Sequence, residues 1–214
     1  MSNKLELTLT KPGDAPVKLQ LNLRKAEPFR IKLSWDEGND LDLHALVATN
    51  SGQGAKVGSL DDILSVYNVK RAINGQNVGH LAQNTDGTFE VHGGALVHSK
   101  DATTGISDGV DEWIHVSPEK LPKAAPGTFI EIPLLSMVHP QDGRVHFRDV
   151  KNPRVEVVNS DGATVLNASL SDQFGGFKGA QLASLMVDAD GKVEFAAVGV
   201  GFNDDFNAVL GHYC

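Results

Sequence analysis

The chain has 214 residues, of which 41% are hydrophobic and 21% are charged. This composition is typical of a globular protein with a sizeable core, and it excludes wholesale disorder. The formal net charge is −8, and because no basic stripe offsets it, a general nucleic-acid binder is not expected. The single cysteine is the last residue, Cys214, which excludes an intrachain disulfide and any cysteine-based zinc or redox motif.

The N-terminus lacks the basic and then apolar layout of a signal peptide, and no apolar run approaches the roughly 18–20 residues of a membrane span. We therefore expect a soluble, cytoplasmic protein with no membrane span. A component of a virus particle, released without a cleaved signal, is the alternative.

The first half of the chain begins with alternating apolar and polar residues, which predict half-buried strands. Such alternation runs from Leu5 to Leu9 and from Val17 to Leu23, with turn residues at Lys11–Asp14 between the two runs. Further strands are predicted over Phe29–Trp35 and Leu41–Ala48.

The next segment is less regular. Asn50–Gly58 is predicted as a loop, and Ser59–Asp62 resembles a capping box that starts a helical turn. Ile63–Tyr67 fits a helix or a strand equally well. Asn68–His80, which polar and glycine residues interrupt, is expected to be irregular.

Four Asp-Gly pairs precede alternating apolar runs and predict hairpins, because Asp-Gly favours the type I′ turn. The pairs are Asp86-Gly87, Asp142-Gly143, Asp161-Gly162 and Asp190-Gly191. The last pair separates predicted strands at Ala180–Val187 and Lys192–Val200. Strands are also predicted at Trp113–Val116 and Thr128–Val138, where Pro133 favours an edge or a bulge.

One helix is predicted near the C-terminus, over Asp204–Leu210, with Asp204 as its cap and Gly211 as its stop signal. Short strands separated by frequent turns indicate an all-β sandwich or barrel. No repeat or interdomain linker interrupts the chain, so a single domain over residues 1–214 is expected.

Acidic residues cluster in two stretches, Asp36–Asp42 and Asp101–Glu112, which together hold eight of the 27 carboxylates and no Lys or Arg. Dense oxygen donors suit Ca²⁺, which takes roughly 6–8 oxygen ligands. On a strand, Asp40 and Asp42 project from one face while Leu41 projects from the other. Exposed, solvated acids are the alternative interpretation of both stretches.

The second stretch has the length of an EF-hand loop, but Ile106 stands where the EF-hand needs glycine, and strands are expected on both sides at Ala95–Ser99 and Trp113–Val116. It is therefore an irregular acidic loop between strands. None of the eight histidines has zinc-site spacing, and the serines lie in no nucleophile elbow. We expect no enzyme.

Several short motifs follow one another along the chain: Trp35-Asp36, Asp40-Leu-Asp-Leu43, Tyr67-Asn68, Asp101-x-x-Thr-Gly105, Asp108-Gly-Val-Asp-Glu112 and Val198-Gly-Val-Gly201. Their order resembles the TerD-type tellurium-resistance and stress-response domain. The resemblance covers nearly the whole chain. It implies a calcium-binding β-sandwich in which six residues are ligands: Asp40, Asp42, Asp101, Asp108, Asp111 and Glu112.

The chain departs from the family pattern at two positions. Lys100-Asp101-Ala102 stands where the family has Gly-Asp-Asn, so Lys100 places a cation beside the site, and Val110 stands where the family has Asp. Each departure removes an oxygen donor, which predicts weaker binding or the loss of one of two metal sites.

The complete expectation is a mostly β, two-sheet antiparallel β-sandwich with a few short helices that binds one or two Ca²⁺. The resemblance implies a binding or scaffold role in tellurite resistance or stress response, with protein partners whose identity the sequence does not give. A calcium-stabilised attachment module of a phage particle and a metal-dependent hydrolase are the alternatives.

Overall fold

The computed structural model describes residues 5–6, 27–105, 109–140 and 142–214. Of the two predicted opening strands, only β1 (Leu5–Glu6) lies in this part of the chain. The rest of the first strand, the turn at Lys11–Asp14 and the strand at Val17–Leu23 lie outside the described residues.

The first sheet contains seven strands in the order β1-β14-β13-β2-β11-β10-β9. Its pairings are antiparallel except for the parallel pair of β1 with β14. After β1, its members are β2 (Phe29–Ser34), β9 (Phe89–Val91), β10 (Leu96–His98), β11 (Glu112–Val116), β13 (Arg154–Val158) and β14 (Thr164–Ser169).

The second sheet also contains seven strands and is antiparallel, with the main order β16-β15-β12-β3-β6. Alongside this path, β4 pairs with β12 and with β5. The members are β3 (Leu41–Leu46), β4 (Ala48–Asn50), β5 (Ala55–Val57), β6 (Ile63–Leu64), β12 (Phe129–Val138), β15 (Gly179–Val187) and β16 (Val193–Phe202).

Helical structure is limited to short elements. The α-helices are α1 (Leu170–Phe174), which the sequence did not predict, and α2 (Phe206–Gly211). Single 3-10 turns lie at Leu60–Asp62, Val66–Asn68, Pro118–Lys120 and Phe147–Asp149. None of the helices in the described residues is long and apolar enough to cross a membrane.

The main core lies between the two sheets because each strand turns its apolar residues inward. Ile31 and Leu33 of β2 and Ile132 and Leu134 of β12 are at most 2% exposed and belong to one cluster. A second cluster, which includes Leu135 and Val209, holds α2 against the outer face of the second sheet. The predicted fold class, two packed antiparallel sheets with few short helices, is confirmed.

Pro133 lies in the middle of β12, so the alternative of an edge strand was wrong. On one side of β12, Pro133 pairs with Ser184 of β15. On the other side neither β3 nor β4 pairs with Pro133, because the gap between the end of β3 and the start of β4 lies opposite this residue. A bulge against β15 follows directly, between Leu134 and Leu135. The bulge that proline favours is therefore present beside it.

The prediction of irregular structure over Asn68–His80 was wrong. The strands β7 (Arg71–Ile73) and β8 (Gln76–Val78) form a separate hairpin there. Its turn is Asn74-Gly75, and both residues have positive φ, as a type I′ turn requires. Ile63–Tyr67 divides between strand β6 and the following 3-10 turn, so both of its interpretations hold in part.

Three of the four Asp-Gly pairs close narrow loops, but not with the expected type I′ turn. Only the glycine of each has positive φ, and its N–H bonds the carbonyl three residues earlier, at Asn84, Asn159 and Asp188. This is the three-residue loop with a glycine bulge. Asp142-Gly143 has positive φ at both residues, yet β12 and β13, the strands on either side, belong to different sheets.

The terminal helix is confirmed with corrected ends. Asp205, not Asp204, is the cap, since its side chain accepts a hydrogen bond from the backbone N–H of Ala208. Gly211 is the last residue of the helix rather than the residue after it.

Candidate metal centre

The centre is built on β3, which runs between β12 and β6 in the second sheet. Leu41 and Leu43 are buried in the core between the sheets, so Asp40 and Asp42 lie on the opposite side of the strand. The sequence prediction that these two carboxylates project together is confirmed.

The third carboxylate comes from the other sheet. Asp101 is exposed and lies in the loop between β10 and β11. One carboxylate oxygen from each of Asp40, Asp42 and Asp101 can be chosen so that all three lie within 4.8 Å of one another. These residues, called the carboxylate triad below, join the two acidic stretches that the sequence singled out.

The triad concentrates negative charge in a partly dry position. Burial, followed by the charges of Asp42 and Asp101, raises the pKa of Asp40 to about 7. Burial and then the charge of Asp101 raise the pKa of Asp42 to about 7, against the hydrogen bond from Tyr67 that lowers it. Such shifts reverse when a cation binds between the carboxylates, because the cation favours their charged form.

The donor set fits a hard cation. Oδ1 of Asp40 is buried and has no hydrogen-bond partner among the described residues. An oxygen-only set of carboxylates suits Ca²⁺ or Mg²⁺ rather than the softer transition metals.

Two residues that the sequence did not assign to the site stand beside the triad. The hydroxyl of Tyr67 donates to Oδ2 of Asp42 at 2.7 Å and lies 3.2 Å from Nδ1 of His139. The backbone N–H of His139 donates to the carbonyl of Asp40 at 2.9 Å. Tyr67 belongs to one of the motifs above, whereas no sequence signal connects His139 to the acids.

Glu112 is fully buried below the triad and bonds backbone groups. Its Oε2 accepts from the N–H of Leu43 at 2.9 Å, and its Oε1 accepts from the N–H of Ala102 at 3.3 Å. Burial first, and then the charge of Asp42, raise its pKa well above the usual value. Glu112 thus fixes both the strand and the loop that carry triad members.

His98 completes this connection between the sheets. Its Nε2 lies 3.0 Å from the carbonyl of Leu43, and its Nδ1 lies 2.8 Å from the carbonyl of Ser99. The pairing of β3 with β6 covers only Ala45 and Leu46 and does not reach Leu43. At Leu43 the side chains of Glu112 and His98, both from the first sheet, contact the backbone N–H and the carbonyl in place of a neighbouring strand.

Asp111 also holds backbone rather than joining the triad. Its Oδ2 accepts from the N–H of Trp35 at 3.0 Å, at the end of β2. Asp108 lies outside the described residues. Of the six ligands that the resemblance implied, three lie together, and ligation by Asp108, Asp111 and Glu112 stays a prediction.

The loop that carries Asp101 is fitted closely to the core. A Cβ added to Gly105 would lie 2.2 Å from Cδ1 of Trp35, so only glycine fits there without a shift. The side chain of Ala102 packs against the main core cluster, and Val110 is exposed. Ala102, which stands where the family has Asn, thus makes an apolar contact in place of an oxygen donor.

Comparison with known proteins gives a consistent picture. The TerD domain matches residues 5–213. General stress protein 16U of Bacillus subtilis (strain 168) is 26% identical over 212 residues, which cover 98% of this chain and 93% of that protein.

Two solved structures share the fold. A homologue of a telluride resistance protein (TerD) from Streptomyces coelicolor A3(2) superposes with a TM-score of 0.62 at 18% identity, covering 86% of this chain and 95% of that one. A protein of unknown function superposes with a TM-score of 0.63 at 14% identity, covering 87% and 96%.

Proposed function

The chain belongs to the TerD domain family, and on that basis we propose that it is a cytoplasmic calcium-binding protein of the stress response. It acts as a binding or scaffold module rather than as an enzyme. The similarity to a general stress protein over 98% of the chain supports the biological role. The observation that carries the calcium proposal is the convergence of Asp40, Asp42 and Asp101 within 4.8 Å.

Asp40 and Asp42 would hold the cation from the second sheet, and Asp101 would hold it from the loop after β10. Bound calcium supplies positive charge and cross-links the two elements. Because Ca²⁺ takes roughly 6–8 oxygens, further oxygen donors such as backbone carbonyls or water would complete the shell. Glu112 keeps the strand and the loop at a fixed separation.

The decisive measurement is thermal unfolding in calcium chloride and in EDTA, with isothermal titration for the affinity. Calcium at about 1,000-fold excess over Kd stabilises a folded protein by about 4 kcal/mol. We expect a clear rise in Tm with Ca²⁺ and a smaller rise with the same concentration of Mg²⁺. Identical midpoints in calcium and EDTA would reject the proposal.

The ligand assignment is tested with Asp101→Asn, because Asp101 is exposed and its replacement should leave the fold intact. We expect calcium affinity to fall at least tenfold. Asp190→Asn is the matched control, since Asp190 is an exposed acid in a hairpin loop of the second sheet. Equal affinities for the two variants would remove Asp101 from the site.

The stress role is tested in cells that lack this protein and carry either the wild type or Asp101→Asn. Survival in tellurite is the measurement. Rescue by the wild type alone would connect the metal centre to the role, and failure of the wild type to rescue would separate the protein from tellurite resistance.

A further inference from the structure

The outer face of the first sheet carries cations in an otherwise acidic protein. In β2 and β11, buried residues alternate with Arg30, Lys32, Trp113 and His115, which therefore point away from the core. Arg30 is paired with His115 and Lys32 with Trp113 across the two strands. The net charge of the chain is −8, whereas the outward-pointing residues of these two strands include two cations and no carboxylate.

Among the described residues, Arg30 contacts an aromatic ring and has no acidic partner. Its guanidinium carbon lies 4.9 Å from the centre of the Trp113 ring, and the side chain makes no salt bridge with any residue that the structure describes. A guanidinium stacked on an aromatic ring keeps its N–H groups for an outside carboxylate, and its conformational entropy is already reduced.

The surroundings of His115 show the sign of the local field. Burial and then the charges of Arg30 and Lys120 lower the pKa of His115. Nδ1 of His115 is buried and has no hydrogen-bond partner among the described residues. Glu156, paired with Lys32, and Glu90, paired with Val97, also place carboxylates on this face.

We propose that this face, defined by Arg30, Trp113, His115 and Lys120 and called the basic face, binds an acidic segment of a partner protein. Arginine and tryptophan are the residues that most often dominate binding energy at protein interfaces. Complementary charge would direct the encounter, and Arg30 would receive a carboxylate in bidentate geometry.

Other occupants fit less well. A second copy docked through a two-fold axis would place Arg30 and Lys120 against the same cations of its neighbour. A nucleic acid brings one charge per roughly 3.4 Å of each strand and would meet repulsion from the acidic remainder of the protein. A short segment needs only a few carboxylates.

The proposal does not depend on the metal centre, and its test separates the two. A fluorescein-labelled, Glu-rich peptide of about ten residues with one central Leu is titrated with the full chain in low salt, in calcium and in EDTA. Fluorescence anisotropy gives the affinity. We expect binding in both conditions, at least tenfold weaker binding in physiological salt, and no binding of the Gln-for-Glu peptide.

Arg30→Glu should weaken binding at least tenfold, and Arg30→Lys should weaken it less because it keeps the charge without the planar stack. Lys70→Glu is the matched control, since Lys70 is exposed and precedes the β7–β8 hairpin, which is a sheet separate from the one that carries the basic face. Equal binding by Arg30→Glu and Lys70→Glu, or no binding by the wild type, overturns the proposal. Tighter binding of a thymidine oligonucleotide than of the peptide, or self-association abolished by Arg30→Glu, also overturns it.

Discussion

The hydroxyl of Tyr67 donates a 2.7 Å hydrogen bond to Oδ2 of Asp42 and thereby fixes the orientation of the most buried member of the triad. The same hydroxyl oxygen lies 3.2 Å from Nδ1 of His139. The Tyr67 ring also packs against Phe206 of α2, with ring centres 5.3 Å apart. The C-terminal helix therefore supports one member of the carboxylate triad through the Tyr67 side chain.

Tyr67→Phe should weaken calcium binding while keeping the fold. The phenyl ring retains the contact with Phe206, but Asp42 loses the group that orients it. Loss of an outer-shell partner typically costs about 10–100-fold in metal affinity. Titration calorimetry measures that loss, and Tm in EDTA checks the fold. An unchanged affinity would show that Asp42 needs no orientation by Tyr67.

Calcium affinity should rise with pH through 7. The pKa of Asp40 and of Asp42 is raised to about 7 without metal, so below pH 7 protons compete with the cation. We expect an increase of about tenfold or more between pH 6 and pH 8, accompanied by proton release. Titrations in buffers of different ionisation enthalpy measure both. An affinity that is flat over this range would contradict the raised pKa values.

In EDTA, where no metal is bound, the same two carboxyls should make the free energy of unfolding fall as the pH rises. Their pKa is raised above the unfolded value, so the folded state binds more protons between about pH 4 and pH 7. Their contribution is fully present below pH 4 and is lost as pH rises through 7. Denaturant unfolding of the wild type and of Asp40→Asn at several pH values isolates this contribution. The free energy of unfolding of the variant should fall less than that of the wild type as the pH rises through 7.

The alternation of apolar and polar residues was enough to predict most strands. It succeeded for β2 and β16, in which buried residues alternate with more exposed ones, and it also found β12 and β15, although both faces of these two strands are largely buried. It failed for β7 and β8, whose residues are nearly all exposed, so no burial pattern marks them. Asn74-Gly75 was the signal that could have identified that hairpin.

The proximity of Asp40 and Asp42 could be predicted from the sequence for the same reason. Period-two spacing places Asp40 and Asp42 together, whereas the partner groups depend on how the sheets meet. Glu112 appears as one more acid in an acidic loop, but it is the first residue of β11 and points to the open edge of β3 at Leu43. Only the tertiary arrangement distinguishes it from Asp101.

Glu112→Gln tests whether Glu112 is a ligand or a support. Glutamine keeps one acceptor oxygen for two backbone N–H groups, so a buried donor on Leu43 or Ala102 loses its partner. We expect a loss of about 1–3 kcal/mol in EDTA, with the calcium-dependent rise in Tm retained. If the stability in EDTA is unchanged and the calcium response disappears, Glu112 is a ligand, as the resemblance implied.

Gly105→Ala should disturb the centre from a distance, through the loop that carries Asp101. The added methyl group would approach Trp35 to 2.2 Å, and because that indole is 1% exposed, the loop must move instead. Overpacking of this kind costs about 1–3 kcal/mol. We expect both lower stability in EDTA and weaker calcium binding, since Asp101 shifts relative to Asp40 and Asp42. Gly176→Ala is the matched control, because an added Cβ meets nothing within 4 Å there. Equal calcium affinities for the two variants would show that the position of Asp101 does not depend on the packing of Gly105 against Trp35.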